Sequence, residues 1–101
     1  MKSDKNNNNN KSVQRLRNIG EQMSLYLSAI NVITVADFMV YPSTEELFYD
    51  LYFAHIGRVN LGNVLYLCAL EGARNNIDIF AITKSRKAEL QQYLDDIKAA
   101  L

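Results

Sequence analysis

Between Leu16 and Phe38 the chain reads LRNIGEQMSLYLSAINVITVADF, and this stretch restricts the fold more than any other. Arg17-Asn18-Ile19-Gly20 is a short polar turn set between apolar-periodic segments. Asn and Gly tolerate backbone angles that other residues avoid, so the chain can reverse here within a few residues. Met23, Leu27 and Ile30 then recur at i, i+4, i+7, the stripe of an amphipathic helix. Asn31 suits a left-handed helix end. Thr34, followed three residues later by Asp37, marks a new helix start, and the spacing predicts a brief helix over Val35 to Val40 that Pro42 stops. The layout is that of a helix-hairpin-helix. Free N–H groups at a helix start favour anions, so phosphate is the ligand such a turn would suit.

The remaining elements also read as helices. Val13 and Leu16 supply one short apolar turn ahead of the hairpin. Ser43 and Glu46 form the S-x-x-E capping pattern and predict a helix to about His55, ended by Gly57. That helix is apolar almost all round, through Leu47, Phe48, Tyr49, Leu51, Tyr52, Phe53 and Ala54, with Asp50 as the interruption. Such a helix is central or meets something on two faces. Asn60 is expected to cap a helix over Leu61 to Arg74, whose Ala69, Gly72 and Ala73 form a small-residue face open to close approach by another helix. Asn75-Asn76 offers a left-handed stop. Thr83 caps the last helix, with Leu90, Leu94, Ile97 and Leu101 as its stripe. No segment alternates with period two, and no repeat of solenoid length occurs. The expected fold is all-α, a bundle of about five helices with a helix-hairpin-helix-like N-terminal half. Residues 1–11, with five consecutive Asn, are expected to be a disordered tail, and residues 12–101 the helical domain.

Composition excludes several classes. At 101 residues and 49% apolar, the chain has enough core to fold without disulfides or metals. One cysteine, Cys68, forbids an internal disulfide, which fits a reducing compartment. No N-terminal apolar segment resembles a secretory leader, and the longest apolar run is seven residues, against the ~20 a bilayer requires. A cytoplasmic setting without a membrane partner is the expectation. Formal charge is zero but unevenly placed. Residues 1–20 carry Lys2, Lys5, Lys11, Arg15 and Arg17 against Asp4, a net of +4. Residues 21–57 carry Glu21, Asp37, Glu45, Glu46 and Asp50 with no Lys or Arg, a net of −5. A dedicated nucleic-acid binder usually has a strong basic surplus, which this chain lacks.

Four groups of residues bear on function. In the hairpin, the N–H groups near Ile19 to Gln22, with Arg15, Arg17, Asn18 and Gly20 and helped by Lys11, are the candidates for phosphate contact. The other reading is a plain interhelical turn, with Glu21 suiting the helix start on dipole grounds. Lys84, Arg86 and Lys87 crowd the start of the last helix, where the dipole favours acids. They read either as a secondary basic patch or as a solvated first turn with Glu89 nearby. Tyr49 and Phe53, four residues apart and broadly opposite Leu47, Leu51 and Tyr52, are the candidate protein interface. Glu71, in an apolar segment, reads as a structural carboxylate bonded to a helix N-terminus or to a cation such as Arg74 or Arg58. His55 is the single histidine and Cys68 an inert buried thiol, so neither a metal nor a cofactor is expected, and no catalytic constellation or small-molecule site is evident.

In order, the hairpin Leu16-Arg17-Asn18-Ile19-Gly20, the segment Ile33-Thr34-Val35-Ala36-Asp37-Phe38, the block Leu65 to Ala73 with its Ala69-Leu70-Glu71-Gly72-Ala73, and Ser85-Arg86-Lys87-Ala88-Glu89-Leu90 resemble the C-terminal domain of the bacterial TfoX/Sxy competence regulators. The resemblance covers about Val13 to Leu94, and the Ala-Leu-Glu-Gly-Ala block is its most specific piece. It implies a helix-hairpin-helix-like helical domain, found after another domain in the competence regulators and alone in some small bacterial proteins; the stand-alone form is expected here. Family members often carry Pro where this chain has Arg17 and Glu21. The expected function is a non-enzymatic interaction or regulatory module that works through protein–protein contact, a homodimer included. The alternative is sequence-independent nucleic-acid binding through the hairpin, with a Kd on the order of 10⁻⁴ to 10⁻⁶ M.

Overall fold

Local capping chemistry sets most of the helix starts. The computed structural model describes residues 11–101, so the Asn tract of the expected tail lies outside the described residues. At Thr34 the capping box is complete: the Thr34 hydroxyl accepts from the Asp37 N–H at 3.2 Å, and Asp37 Oδ2 accepts from the Thr34 N–H at 3.0 Å. Asp37 also accepts from the Ile33 N–H, and these backbone donors hold its carboxyl below the usual range. Ser43 and Thr83 likewise accept from the N–H groups of Glu46 and Arg86. Five α-helices result among the described residues: α1 Glu21–Ser28, α2 Val35–Val40, α3 Thr44–Ala54, α4 Val64–Asn75 and α5 Lys84–Ala99. A 3-10 turn, Val13–Arg15, precedes the hairpin, and a second, Ile79–Ala81, links α4 to α5. No strand forms among the described residues; Ser12 and Thr34 make one isolated antiparallel bridge, and the Lys11 carbonyl accepts from the Val35 N–H at 2.9 Å. The all-α expectation holds.

Asn18, Asn31 and Asn76 all take positive φ, at 70°, 63° and 58°. Gly20 does not: at φ −92° and ψ −170° it is an extended N-cap to α1, so Asn18 alone supplies the left-handed step of the hairpin. The expected start of the fourth helix needs correction. Asn63, not Asn60, is its cap, with the Asn63 side chain accepting from the Leu65 N–H at 2.8 Å. Asn60 instead closes a turn by accepting from the Gly62 N–H at 2.9 Å. Leu61 is buried, as a helical stripe residue would be, but it is buried from a loop. At the other end of the chain, Leu101 is 63% exposed and lies beyond α5, so the final stripe stops at Ile97.

One continuous core joins the halves. Ile19, Met23, Leu27 and Phe38 from the N-terminal half pack into the same cluster as Leu47, Phe48 and Leu51 of α3, Leu67 and Leu70 of α4, and Leu90, Leu94 and Ile97 of α5. α4 is the axis, with α3, α5 and the second 3-10 turn packed on it. The small-residue face of α4 serves a different neighbour from the one expected. A Cβ on Gly72 would fall 2.2 Å from Asn18 Nδ2 and 2.5 Å from the Ile77 carbonyl oxygen, so what approaches is the hairpin and the chain leaving α4, not another helix.

Candidate interaction surfaces

The hairpin places its residues in three different settings. Arg15, Arg17, Gly20 and Gln22 are exposed, as is Lys11. Ile19 is buried in the core, and its N–H is already used, donating to the Leu16 carbonyl at 3.2 Å. Ile19 therefore departs from the phosphate-donor role expected of it. Asn18 turns inward: its side-chain amide donates to the Ile77 carbonyl at 2.9 Å, bracing the turn against the end of α4. An Asn in the left-handed region and a Gly opposite it in α4 are thus one locking device. With Gln22, Met23, Tyr26, Leu65, Tyr66, Ala69 and Ile79, Asn18 lines a mostly apolar recess of about 300 Å³.

At the start of α5, Lys84 and Lys87 are exposed but Arg86 is not a solvated cation. Its guanidinium grips Glu45 through both forks, at 2.8 and 2.9 Å, and reaches Glu71 at 3.1 Å and Glu89 at 2.9 Å. The hydrogen bond from Arg86 leads in holding the Glu45 carboxyl below its usual range. Burial alone would push Glu71 up; hydrogen bonds from Arg86 and from Thr44 outweigh it and leave Glu71 lowered. Bonded to Glu45 and Glu71, Arg86 in turn loses its proton less readily than a free guanidinium. The buried Thr44 Oγ1 donates to Glu71 Oε1 at 2.6 Å, so α3, α4 and α5 are tied at one point. Arg74, one of the cations expected to pair with Glu71, instead donates to the carbonyls of Tyr41 and Pro42 at 2.7 and 2.8 Å. Since the first 3-10 turn packs on α1 and α2 while α5 packs on α3 and α4, the two basic groups belong to different halves of the molecule.

The remaining single residues have structural partners. His55 Nε2–H donates to the Tyr26 carbonyl at 2.9 Å, and its ring meets Tyr26 edge-on. Cys68 is buried, and burial pushes its thiol pKa up, away from the reactive thiolate. No group of three or more His, Cys, Asp or Glu among the described residues is placed to hold a metal ion. No helix among them is long and apolar enough to cross a membrane.

On α3 the inner face is closed by Thr44, Leu47, Phe48 and Leu51. Tyr49 is 50% exposed on the opposite side, and its ring lies 4.7 Å from that of Phe53. Phe53 differs from the expected free surface residue: it is half-buried against the core and also meets Tyr52 edge-on at 5.5 Å. It supports Tyr49 from behind. Beside Tyr49 is a recess of about 260 Å³ lined by Tyr41, Glu46, Tyr49, Asp50 and Tyr93. The Tyr41 hydroxyl donates to Asp50 Oδ2 at 2.7 Å; burial first, and Asp50 second, push its pKa up to about 12. Tyr93 is raised as well, by burial and then by the charges of Glu45, Glu46 and Asp50 along with Tyr49. Sequence reading singled out Tyr49 and missed the rest of this recess. Glu46, Tyr49 and Asp50 do sit at i, i+3, i+4 of one helix face, but Tyr41 and Tyr93 come from other elements.

Residues 9–94 match the model of the TfoX C-terminal domain, a family of regulatory type. No curated protein and no solved structure matches the chain. The match takes in the hairpin braced by Asn18, the Ala-Leu-Glu-Gly-Ala block with Glu71 and Gly72, and the Arg86 clamp that joins it to α5. By this match over most of its length, the chain belongs to the TfoX C-terminal domain family.

Proposed function

We propose that the chain is a non-enzymatic regulatory module that acts by binding another protein through the outer face of α3. Tyr49 carries this reading: a half-exposed aromatic ring, backed by Phe53, on the outside of a helix whose inside is closed. Tyrosine presents a large contact area with little rotamer freedom to lose, and it is enriched where interfaces concentrate their energy. A cytoplasmic setting is supported by the single, buried Cys68. The test is light scattering across a range of protein concentrations, on the full chain and on Tyr49→Ser. A concentration-dependent dimer that persists in moderate salt and dissociates in the variant is the expected result. A monomer at every concentration removes a second copy as the partner.

A second reading is favoured by one observation. Arg15 and Arg17 are exposed at the hairpin, and neither joins an ion pair among the described residues. With Lys11 and Gln22 they could bind nucleic-acid phosphates weakly and without sequence preference. A mobility shift that fades from low to moderate salt, and drops in Arg15→Ala/Arg17→Ala, would support it. Absence of a shift at low salt ends it.

A further inference from the structure

We infer that the recess between Tyr41, Tyr49 and Tyr93 is a cation cage that receives the head group of a lysine or arginine from a basic segment of a partner protein. The inference rests on the proposed role of the α3 face and names the chemistry of what that face takes.

Three tyrosines from three elements line one space: Tyr41 from the link after α2, Tyr49 from α3 and Tyr93 from α5. The faces of aromatic rings carry negative potential, and a cation held over them is attracted most where water is excluded. Glu46 and Asp50, one helical turn apart, add two carboxylates to the same lining. No Lys or Arg lines the recess, and the described ion pairs all converge on Arg86, which takes Glu45 and leaves Glu46 and Asp50 unmatched. Residues 21–57 contain no Lys or Arg to supply a cation from nearby sequence.

The protonation states suit a cation too. The Tyr41 hydroxyl donates a hydrogen bond to Asp50 Oδ2, which leaves the phenol neutral and holds the carboxylate in place. An anion would meet two carboxylates, and an apolar group would strand them without water. At about 260 Å³, the recess has room for a cationic head group together with part of the stem that carries it. Acidic residues alone would make only a solvated face; the tyrosines that share their space set this one apart.

The test is fluorescence anisotropy of two labelled peptides, arginine alternating with glycine and lysine alternating with glycine, titrated with the full chain, Tyr49→Leu and Glu46→Gln. Both positions are exposed, and unchanged circular dichroism melts will confirm that both variants fold. Saturable binding is expected, weakened about tenfold by Tyr49→Leu, which keeps apolar bulk but removes the ring, and a few-fold by Glu46→Gln. Tetramethylammonium chloride should displace the peptide better than sodium chloride at equal ionic strength. No binding at low salt overturns the cage, as does equal binding by wild type and Tyr49→Leu, which would reduce the effect to surface charge. Free arginine amide binding as tightly as the peptide would make this a small-molecule site and overturn the partner segment. If the chain dimerises through Tyr49 yet ignores both peptides, the cage fails while the protein-contact reading stands; a monomer that ignores both peptides ends the cage and removes a second copy as the partner.

Discussion

Glu45 and Glu46 are neighbours on the first turn of α3, yet one is matched within the chain and the other is not. Glu45 is clasped by both forks of Arg86 and shares that guanidinium with Glu71, beside the buried Thr44. Glu46 lines an open recess with Asp50 and three tyrosines. The two carboxylates differ by one step of about 100° around a helix, and that step separates a side bonded to Arg86 of α5 from one that opens on the recess beside Tyr41, Tyr49 and Tyr93. The chain meets its own charge where helices must be held together, and leaves charge unmet where a partner can supply it.

Four measurements would break or sharpen this contrast. The largest effect is expected from Arg86→Met, which leaves Glu45 and Glu71 without their cation. Both carboxylates keep some solvent, at 25% and 13% exposure, so the cost falls below that of a fully buried pair, at about 2–3 kcal/mol. For a domain this small the melting temperature should drop by on the order of 10 °C. An unchanged melt would mean that the clamp is decorative.

Acid comes next. Glu45 and Glu71 both have folded-state pKa values lowered from 4.5, so the unfolded chain binds their protons more readily. Their contribution is complete above that value and is lost as pH falls through the folded values. Melting temperature should therefore hold steady from neutral pH to about 4.5 and decline below it. In Arg86→Met the decline should be shallower, retaining the share owed to Asp37, which is also lowered. Identical pH profiles for the two proteins would contradict the assignment.

A smaller loss follows for Thr44→Val, which keeps the shape but removes the hydroxyl given to Glu71. Since Arg86 still holds that carboxylate, about 1–1.5 kcal/mol is expected by chemical denaturation. On the unmatched side the expected change is close to nothing. Glu46→Gln should alter stability by under about 0.5 kcal/mol, as for exposed positions in general. A substantial loss would mean that Glu46 has a structural partner and the contrast fails.

Much of the architecture is legible from short-range signals. Thr34, Ser43 and Thr83 read as caps and act as caps, because a cap bonds an N–H only three residues away. Asn31 and Asn76 both take the left-handed conformation that their type tolerates; Asn76 is the cap that ends α4, whereas α1 ends on Ala29 and Asn31 turns the chain two residues later. The misreading of Asn60 has a local cause as well. Two asparagines, Asn60 and Asn63, precede the same apolar run, and Leu61 is buried whether it begins a helix or anchors a loop. In the hairpin, the sequence shows that Asn18 shapes a turn but not that it braces one, since its carbonyl partner Ile77 lies 59 positions away.

The candidate surfaces were less legible, for the same physical reason. Tyr49 stands out on a helical wheel because its exposure follows from the stripe of Leu47, Phe48 and Leu51. Nothing near Tyr41 or Tyr93 in the chain says that they share a space with it. Arg86 sits against the helix dipole at the start of α5, and the cause, two carboxylates on other helices, is invisible along the chain.

By itself, then, the order of residues determined where the helices begin and turn, which stripes face inward, and that the chain is all-α, because those outcomes are settled by interactions within about four residues. Tertiary structure decided which carboxylates find a cation, which tyrosines line a common recess and which way Asn18 points. Those outcomes join residues 8 to 59 positions apart, where only the packing of α3, α4 and α5 and the closing of the hairpin bring the groups within reach.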